Sequence, residues 1–264
     1  MADGDFYGSE QSVVADAATD VRIEHVDAAT GAATVLKAST PLQAGEVLDS
    51  AVMSVAALRA YLREQMDEAR RTDTLLSLHL KATMMKVSDP VIFGHAVSVY
   101  FDTVFERHGD ALARVGVDPN NGVADLEARV ATLPDAERDA VRADMAACYA
   151  RGPRLAMVNS AKGITNLHVP SDVIIDASMP PMVRDGGKMW NADDALEDTV
   201  ALVPDRSYAT AYQRIVEHCQ RHGAFDPSTM GNVANVGLMA QKAEEYGSHD
   251  KTFTAAAHGG RGGG

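Results

Sequence analysis

A run at Leu76–Leu80 and short apolar runs at Leu155–Val158, Val173–Ile175 and Val200–Val203 are interleaved along the chain with stretches of helical spacing. Apolar runs of that length suit buried strands. The alternation predicts an α/β class. Leu76, Leu78 and Leu80 alternate with Ser77, His79 and Lys81, so the first run reads as a strand with Lys81 on its polar face. Ser54 can cap a helix running to about Arg71, with Leu58, Leu62, Met66 and Ala69 on one stripe. Asp89 before Pro90 starts a helix expected to run to His108, where Gly109 stops it. Helices follow near 123–132 and 135–150, separated by Pro134. Ser207 is expected to cap a helix ending before Gly223, and Leu238–Tyr246 forms a last one, stopped by Gly247.

The ends read differently. Residues 1–19 are polar and Ala-rich and are expected to be loosely held. Strands at Val21–Val26 and Ala33–Lys37 flank a turn, Asp27–Gly31. From Ala255 the chain is AAAHGGRGGG, which offers nothing to pack and is expected to be disordered. One main domain is therefore expected over 20–254.

Several function classes fall away. Lys plus Arg number 24 against 37 Asp plus Glu, a net charge of −13, which repels nucleic acid and anionic membranes. The Gly/Arg end is a weak RNA-binding hint against that charge. No apolar run reaches the ~18 residues of a membrane span. The acidic start, MADGDFYGSE, is not a signal peptide. Two cysteines, Cys148 and Cys219, exclude a disulfide framework and suit a reducing, cytoplasmic setting. No Gly-rich phosphate loop of the mononucleotide or dinucleotide type is present.

The residues that carry chemistry are few. His218 and His222 lie one helical turn apart with Cys219 between, a zinc-like spacing that lacks further ligands. Asp176 follows a buried-type strand, where a carboxylate can hold a hard cation such as Mg²⁺ or Mn²⁺ or simply cap the next helix. Lys81 ends its strand and Lys86 follows in a Met-rich loop; a Lys against apolar walls can act as a base, although most are solvated or salt-bridged. Tyr246, among Glu244, Glu245, Ser248 and His249, is either a proton donor or an ordinary half-buried Tyr.

Three stretches taken together resemble one family. They are SLHLKATMMKVSDPVIFGHA (77–96), LAMVNSAKGITNLHVPSDVIIDASMPPMVRDGGKMW (155–190) and GLMAQKAEEYGSHDKTF (237–253). Each is similar to the monomeric type of NADP-dependent isocitrate dehydrogenase, and the likeness runs from about Asp5 to Phe253. The resemblance implies the α/β fold of the isocitrate and isopropylmalate dehydrogenases, here its large domain in incomplete form. It implies oxidative decarboxylation of isocitrate to 2-oxoglutarate with NADP⁺ and Mg²⁺ or Mn²⁺. By motif, Lys81 and Tyr246 correspond to catalytic residues and Asp176 to a metal-binding aspartate. The residues that bind NADP, the other metal aspartates and the substrate-carboxylate binders have no counterpart in these motifs. The chain resembles the middle portion of a family member, so the partners it implies are isocitrate and the remaining domains of the same enzyme. The rival expectation is a non-catalytic remnant that folds and at most binds a partner. Lys81, Asp176 and Tyr246 are expected to face one open cleft, with no Lys or Arg locking Asp176 in a buried ion pair.

Overall fold

The structure is a computed structural model that describes residues 1–81, 88–226 and 228–229. The chain divides into two units. Of the described residues, Ser9–Val52 form one, and Met1–Gly8 with the residues from Met53 onward form the other.

Residues 1–19 are not the loosely held segment that their composition suggests. They contain a one-turn helix, α1 (Phe6–Ser9), and a strand, β1 (Gln11–Val14). Asp5 is fully buried, held by an ion pair to Arg206. Composition misses this because the contacts that order the segment are distant in sequence: Arg206 for Asp5 and Val47–Ser50 for β1.

In the Ser9–Val52 unit, β2 (Thr19–Val26) and β3 (Ala33–Leu42) form the expected antiparallel hairpin, longer than its apolar cores suggested. Its turn works as read: Asp27 Oδ1 accepts N–H bonds from Ala29 and Thr30, and Gly31 takes φ +71°. Strand β4 (Val47–Ser50) pairs antiparallel with β1.

The larger unit opens with α2 (Val55–Thr72). Ser54 caps it by accepting the Ala57 N–H, and Leu58, Leu62, Met66 and Ala69 are its buried stripe. Asp73 closes the helix in the left-handed region at φ 54°. Next comes β5 (Leu75–Leu78), whose four residues are all buried. The expectation of a polar face is therefore corrected: Ser77 and His79 are fully buried as well. Polar side chains survive there because each has a partner. Asn166 Nδ2 donates to Ser77 Oγ at 2.8 Å, and His79 Nδ1 lies 2.7 Å from Ser178 Oγ.

The helix expected from Asp89 to His108 is two helices, α3 (Ser88–Tyr100) and α4 (Asp102–Arg114). The break falls at Phe101, which is fully buried and sits edge-on to Tyr100 and Tyr149 with ring centroids 5.0 and 5.2 Å away. Gly109 lies within α4 and does not stop it, a tolerated cost of about 1 kcal/mol. A 3-10 turn (Pro119–Asn121), α5 (Val123–Val130) and α6 (Asp135–Arg151) follow the expected pattern. Helices α2 to α6 share one apolar core with β5, centred on Phe93, Phe101, Leu62 and Leu126.

A small hairpin of β6 (Met157–Asn159) and β7 (Ile164–Thr165) follows. The expected strand at Val173–Ile175 is corrected. A 3-10 turn covers Pro170–Val173, and α7 (Ile175–Arg184) begins at once. Only a bridge between Leu80 and Ile174 remains of the strand. Strand β8 (Lys188–Trp190) and β9 (Leu196–Leu202) form a hairpin, and β9 runs parallel to β5. The three strands lie in the order β5-β9-β8. Mixed helices and strands with a parallel pair are consistent with an α/β fold. Helix α8 (Arg206–His222) is capped by Asp205 rather than Ser207: the Asp205 carboxylate accepts the Ser207 N–H. A second, smaller core joins Ile175, Met179 and Met182 of α7 to Val203, Tyr208 and Tyr212. No helix among the described residues is long and apolar enough to cross a membrane.

Candidate functional site

Strand β5 is bonded on both edges. On one side His79 N–H donates to Leu202 O. On the other, Leu76 exchanges bonds with Arg154 and Ala156, and Leu80 with Val173 and Ile175. These bonds hold the strand extended to Leu80 and deliver Lys81 beside the start of α7. The Lys81 backbone N–H donates to Asp89 Oδ2 at 2.7 Å, so the buried carboxylate of α3 fixes the next residue as well.

The Lys81 Nζ forms an ion pair with Asp176 Oδ2. Asp176 lies in the first turn of α7, where the helix dipole favours negative charge. It follows the turn into the helix, not a strand, and the N-cap position belongs to Ile174. The pair is open to solvent: the side chains are 30% and 55% exposed. Thus two of the three expected site residues meet, 95 positions apart in sequence. The expectation for Asp176 is the lack of a buried Lys or Arg partner; the partner it has, Lys81, is open to solvent. The pair is no buried structural lock. Tyr246 and Lys86 lie outside the described residues, as do the expected helix Leu238–Tyr246 and the tail from residue 255.

Sequence reasoning missed three further groups here. Tyr212 of α8 donates its hydroxyl to Ile175 O at 3.2 Å. Partial burial raises its phenol, the Asp176 charge adds to that, and Lys81 acts in the opposite direction. All three groups therefore lie in one small region. Behind the pair, His79 contacts Ser178, two residues from Lys81 and two from Asp176 respectively. The His79 ring is pushed down to about 4 by burial, so it is neutral at pH 7. Only a His in a polar phase of an apolar strand hinted at this; Tyr212 left no signal at all.

Two clefts of about 190 and 590 Å³ are lined by residues such as Arg151 and Tyr149, and neither includes Lys81 or Asp176.

Among the described residues no three His, Cys, Asp or Glu side chains gather as a metal would require. The zinc-spaced pair His218 and His222 has ring centroids 4.7 Å apart, and His218 stacks on Phe225. Cys148 and Cys219 are both free.

A family model described as monomeric isocitrate dehydrogenase matches residues 1–261. The chain is 58% identical over 259 residues to an isocitrate dehydrogenase (NADP) of Azotobacter vinelandii, covering 98% of this chain and 35% of that protein. It is 56% identical to isocitrate dehydrogenase (NADP) 2 of Colwellia maris over the same shares. Against isocitrate dehydrogenase (NADP) 2 of Mycobacterium tuberculosis it is 51% identical, with 96% and 34% covered. The chain thus spans about a third of the length of these curated relatives. With a match that runs through both motif residues of the Lys81–Asp176 pair, this chain belongs to the monomeric isocitrate dehydrogenase family.

Proposed function

We propose that this chain carries the acid–base part of an NADP-dependent isocitrate dehydrogenase site, within the large domain of an isocitrate/isopropylmalate dehydrogenase-type fold. The observation that carries this reading is the solvent-open contact between Lys81 and Asp176, residues from two separate family motifs.

Lys81 suits a proton carrier. As an ammonium facing Asp176 it holds a proton and cannot accept another; it becomes a base as the neutral amine, after giving that proton to solvent through the open side of the pair. In the proposed reaction Lys81 takes the proton of the C2 hydroxyl of isocitrate while hydride leaves C2 for NADP⁺. After loss of CO₂, Tyr246 supplies the proton to C3. Tyr212 borders the same region and keeps its own proton, which excludes it as the base at neutral pH.

A divalent cation, Mg²⁺ or Mn²⁺, would supply Lewis-acid polarisation when bound. Asp176 is the residue that would contribute a carboxylate to it, and among the described residues no three His, Cys, Asp or Glu side chains gather there. That same observation favours a second reading, in which the chain is a folded, partner-binding domain with no turnover of its own.

Two measurements decide. Formation of NADPH from isocitrate, NADP⁺ and Mn²⁺ is followed for the wild-type chain and for Lys81→Met. Turnover that Lys81→Met abolishes supports the enzyme reading, and turnover unchanged by the substitution overturns it. Where the wild type shows none, Mn²⁺ broadening of amide NMR signals around Asp176, in the presence of isocitrate, is the second readout. Broadening that Asp176→Asn removes supports the site. Broadening that survives the substitution, or is absent, leaves the partner-binding reading.

A further inference from the structure

We propose that His79 and Ser178 form a positioning clamp whose purpose is to set the spacing between Lys81 and Asp176. The inference rests on the reading of Lys81–Asp176 as a working pair, and deepens it.

The geometry is a four-residue rectangle. His79 and Lys81 are i and i+2 on one extended segment, and Asp176 and Ser178 are i and i+2 in the first turns of α7. The outer corners carry the solvent-open ion pair. The inner corners carry the His79–Ser178 hydrogen bond of 2.7 Å. Between them run two backbone bonds, Leu80 N–H to Val173 O at 2.8 Å and Ile175 N–H to Leu80 O at 2.7 Å. These backbone bonds end at Ile175. Beyond it, the Lys81 ammonium at the solvent side and the His79 ring inside reach from this segment to α7.

The chemistry at the inner corner is costly, which argues for a use. His79 is fully buried, and its Nε2 has no hydrogen-bond partner among the described residues. An apolar residue would fill that space without desolvating a ring nitrogen. An N–H without an acceptor is worse than a bare ring nitrogen, which favours the tautomer that donates Nδ1–H to Ser178 Oγ. A single tautomer gives the bond one direction, and direction is what fixes helix α7 in rotation about its axis. Asp176, two residues earlier on α7, turns with it. An exposed ion pair alone would hold neither side chain in one place, because its energy is small and screened.

Chemical labelling of lysines tests this without recourse to turnover. The protein is treated with an amine-acylating reagent, and Lys81 modification is measured by mass spectrometry relative to the exposed Lys188. Asp176→Asn sets the scale for a lost ion pair. Ser178→Ala should raise the Lys81/Lys188 ratio at least twofold, and Ser178→Thr, which keeps the hydroxyl, should restore it. A merely structural role would lower the melting temperature and leave the ratio unchanged; that result overturns the clamp. Should Ser178→Ala fail to fold, the wild-type His79 ring decides by nitrogen NMR. One neutral tautomer protonated at Nδ1 supports the clamp, and a tautomer mixture overturns it. Failure of the isocitrate reading would appear only in the NADPH and Mn²⁺ measurements, so the two ideas fail separately.

Discussion

Asp5 and Arg206, 201 residues apart, form a two-pronged ion pair that ties the first residues of the chain to the start of α8. Arg206 Nε donates to Asp5 Oδ2 at 2.9 Å and Nη2 to Oδ1 at 2.7 Å, while the Arg206 backbone N–H donates to Oδ2 at 2.9 Å. Asp5 is completely buried, but the Arg206 side chain is 32% exposed.

That asymmetry predicts unequal mutants. Arg206→Ala strands a buried carboxylate and should cost about 3 kcal/mol. Asp5→Ala leaves a guanidinium that can turn to water, so it should cost less. The Arg206 guanidinium holds the Asp5 carboxyl well below the usual carboxylate range, against the opposing effect of burial. A depressed carboxyl contributes its stability above the unfolded value near 4 and loses it as pH falls below that. Urea unfolding of both mutants at pH 7 checks the order; a larger loss for Asp5→Ala would contradict the assignment.

Gly122→Ala should be among the most damaging single-methyl changes. Gly122 has φ +86°, and a Cβ there would stand 2.2 Å from His168 O and 3.0 Å from the Phe93 ring. The obstacle is backbone, which cannot swing away as a side chain can. Strain and clash together should cost about 3 kcal/mol, read as a lower urea midpoint. A loss under 1 kcal/mol would mean that the 3-10 turn and α5 can shift apart.

How much of this was legible follows from the range of each interaction. Helix α2 was readable from Ser54 and the stripe Leu58, Leu62, Met66 and Ala69, because capping and periodicity act within a few residues. The break at Phe101 was not, since it depends on Tyr149, 48 positions away, packing against that ring. Strand β5 was found but its burial was misread: Ser77 and His79 looked solvent-facing only because Asn166 and Ser178, their partners, are distant in sequence. Asp176 was legible by motif alone. Its position in a helical first turn depends on the Leu80–Ile174 bridge, which no local pattern encodes.

Asp176→Asn should leave the fold nearly intact. The Lys81–Asp176 pair is exposed enough that solvent screens it, and the favourable placement at the start of α7 is worth a fraction of a kcal/mol. The expected loss is below about 1 kcal/mol in urea unfolding. A loss several times larger would make the pair a structural lock and remove the case for a working site.

The pH dependence of stability should carry the signature of His79. Its ring is pushed down to about 4 by burial, whereas an unfolded chain titrates near 6.5. Above pH 6.5 neither state binds the proton and the contribution is complete. Between pH 6.5 and 4 the unfolded chain takes up a proton that the folded chain refuses, so stability falls as pH falls through that window. The full loss approaches roughly 3 kcal/mol at its lower end. His79→Asn retains an amide that can reach Ser178 but cannot titrate. Its stability at pH 7 should be lower than that of the wild type because the ring volume is gone, yet its slope between pH 6.5 and 4 should be shallower by about that amount. Urea midpoints for both proteins at several pH values give the comparison. Equal slopes would place the His79 ring in contact with water and undo both its burial and its part in orienting α7.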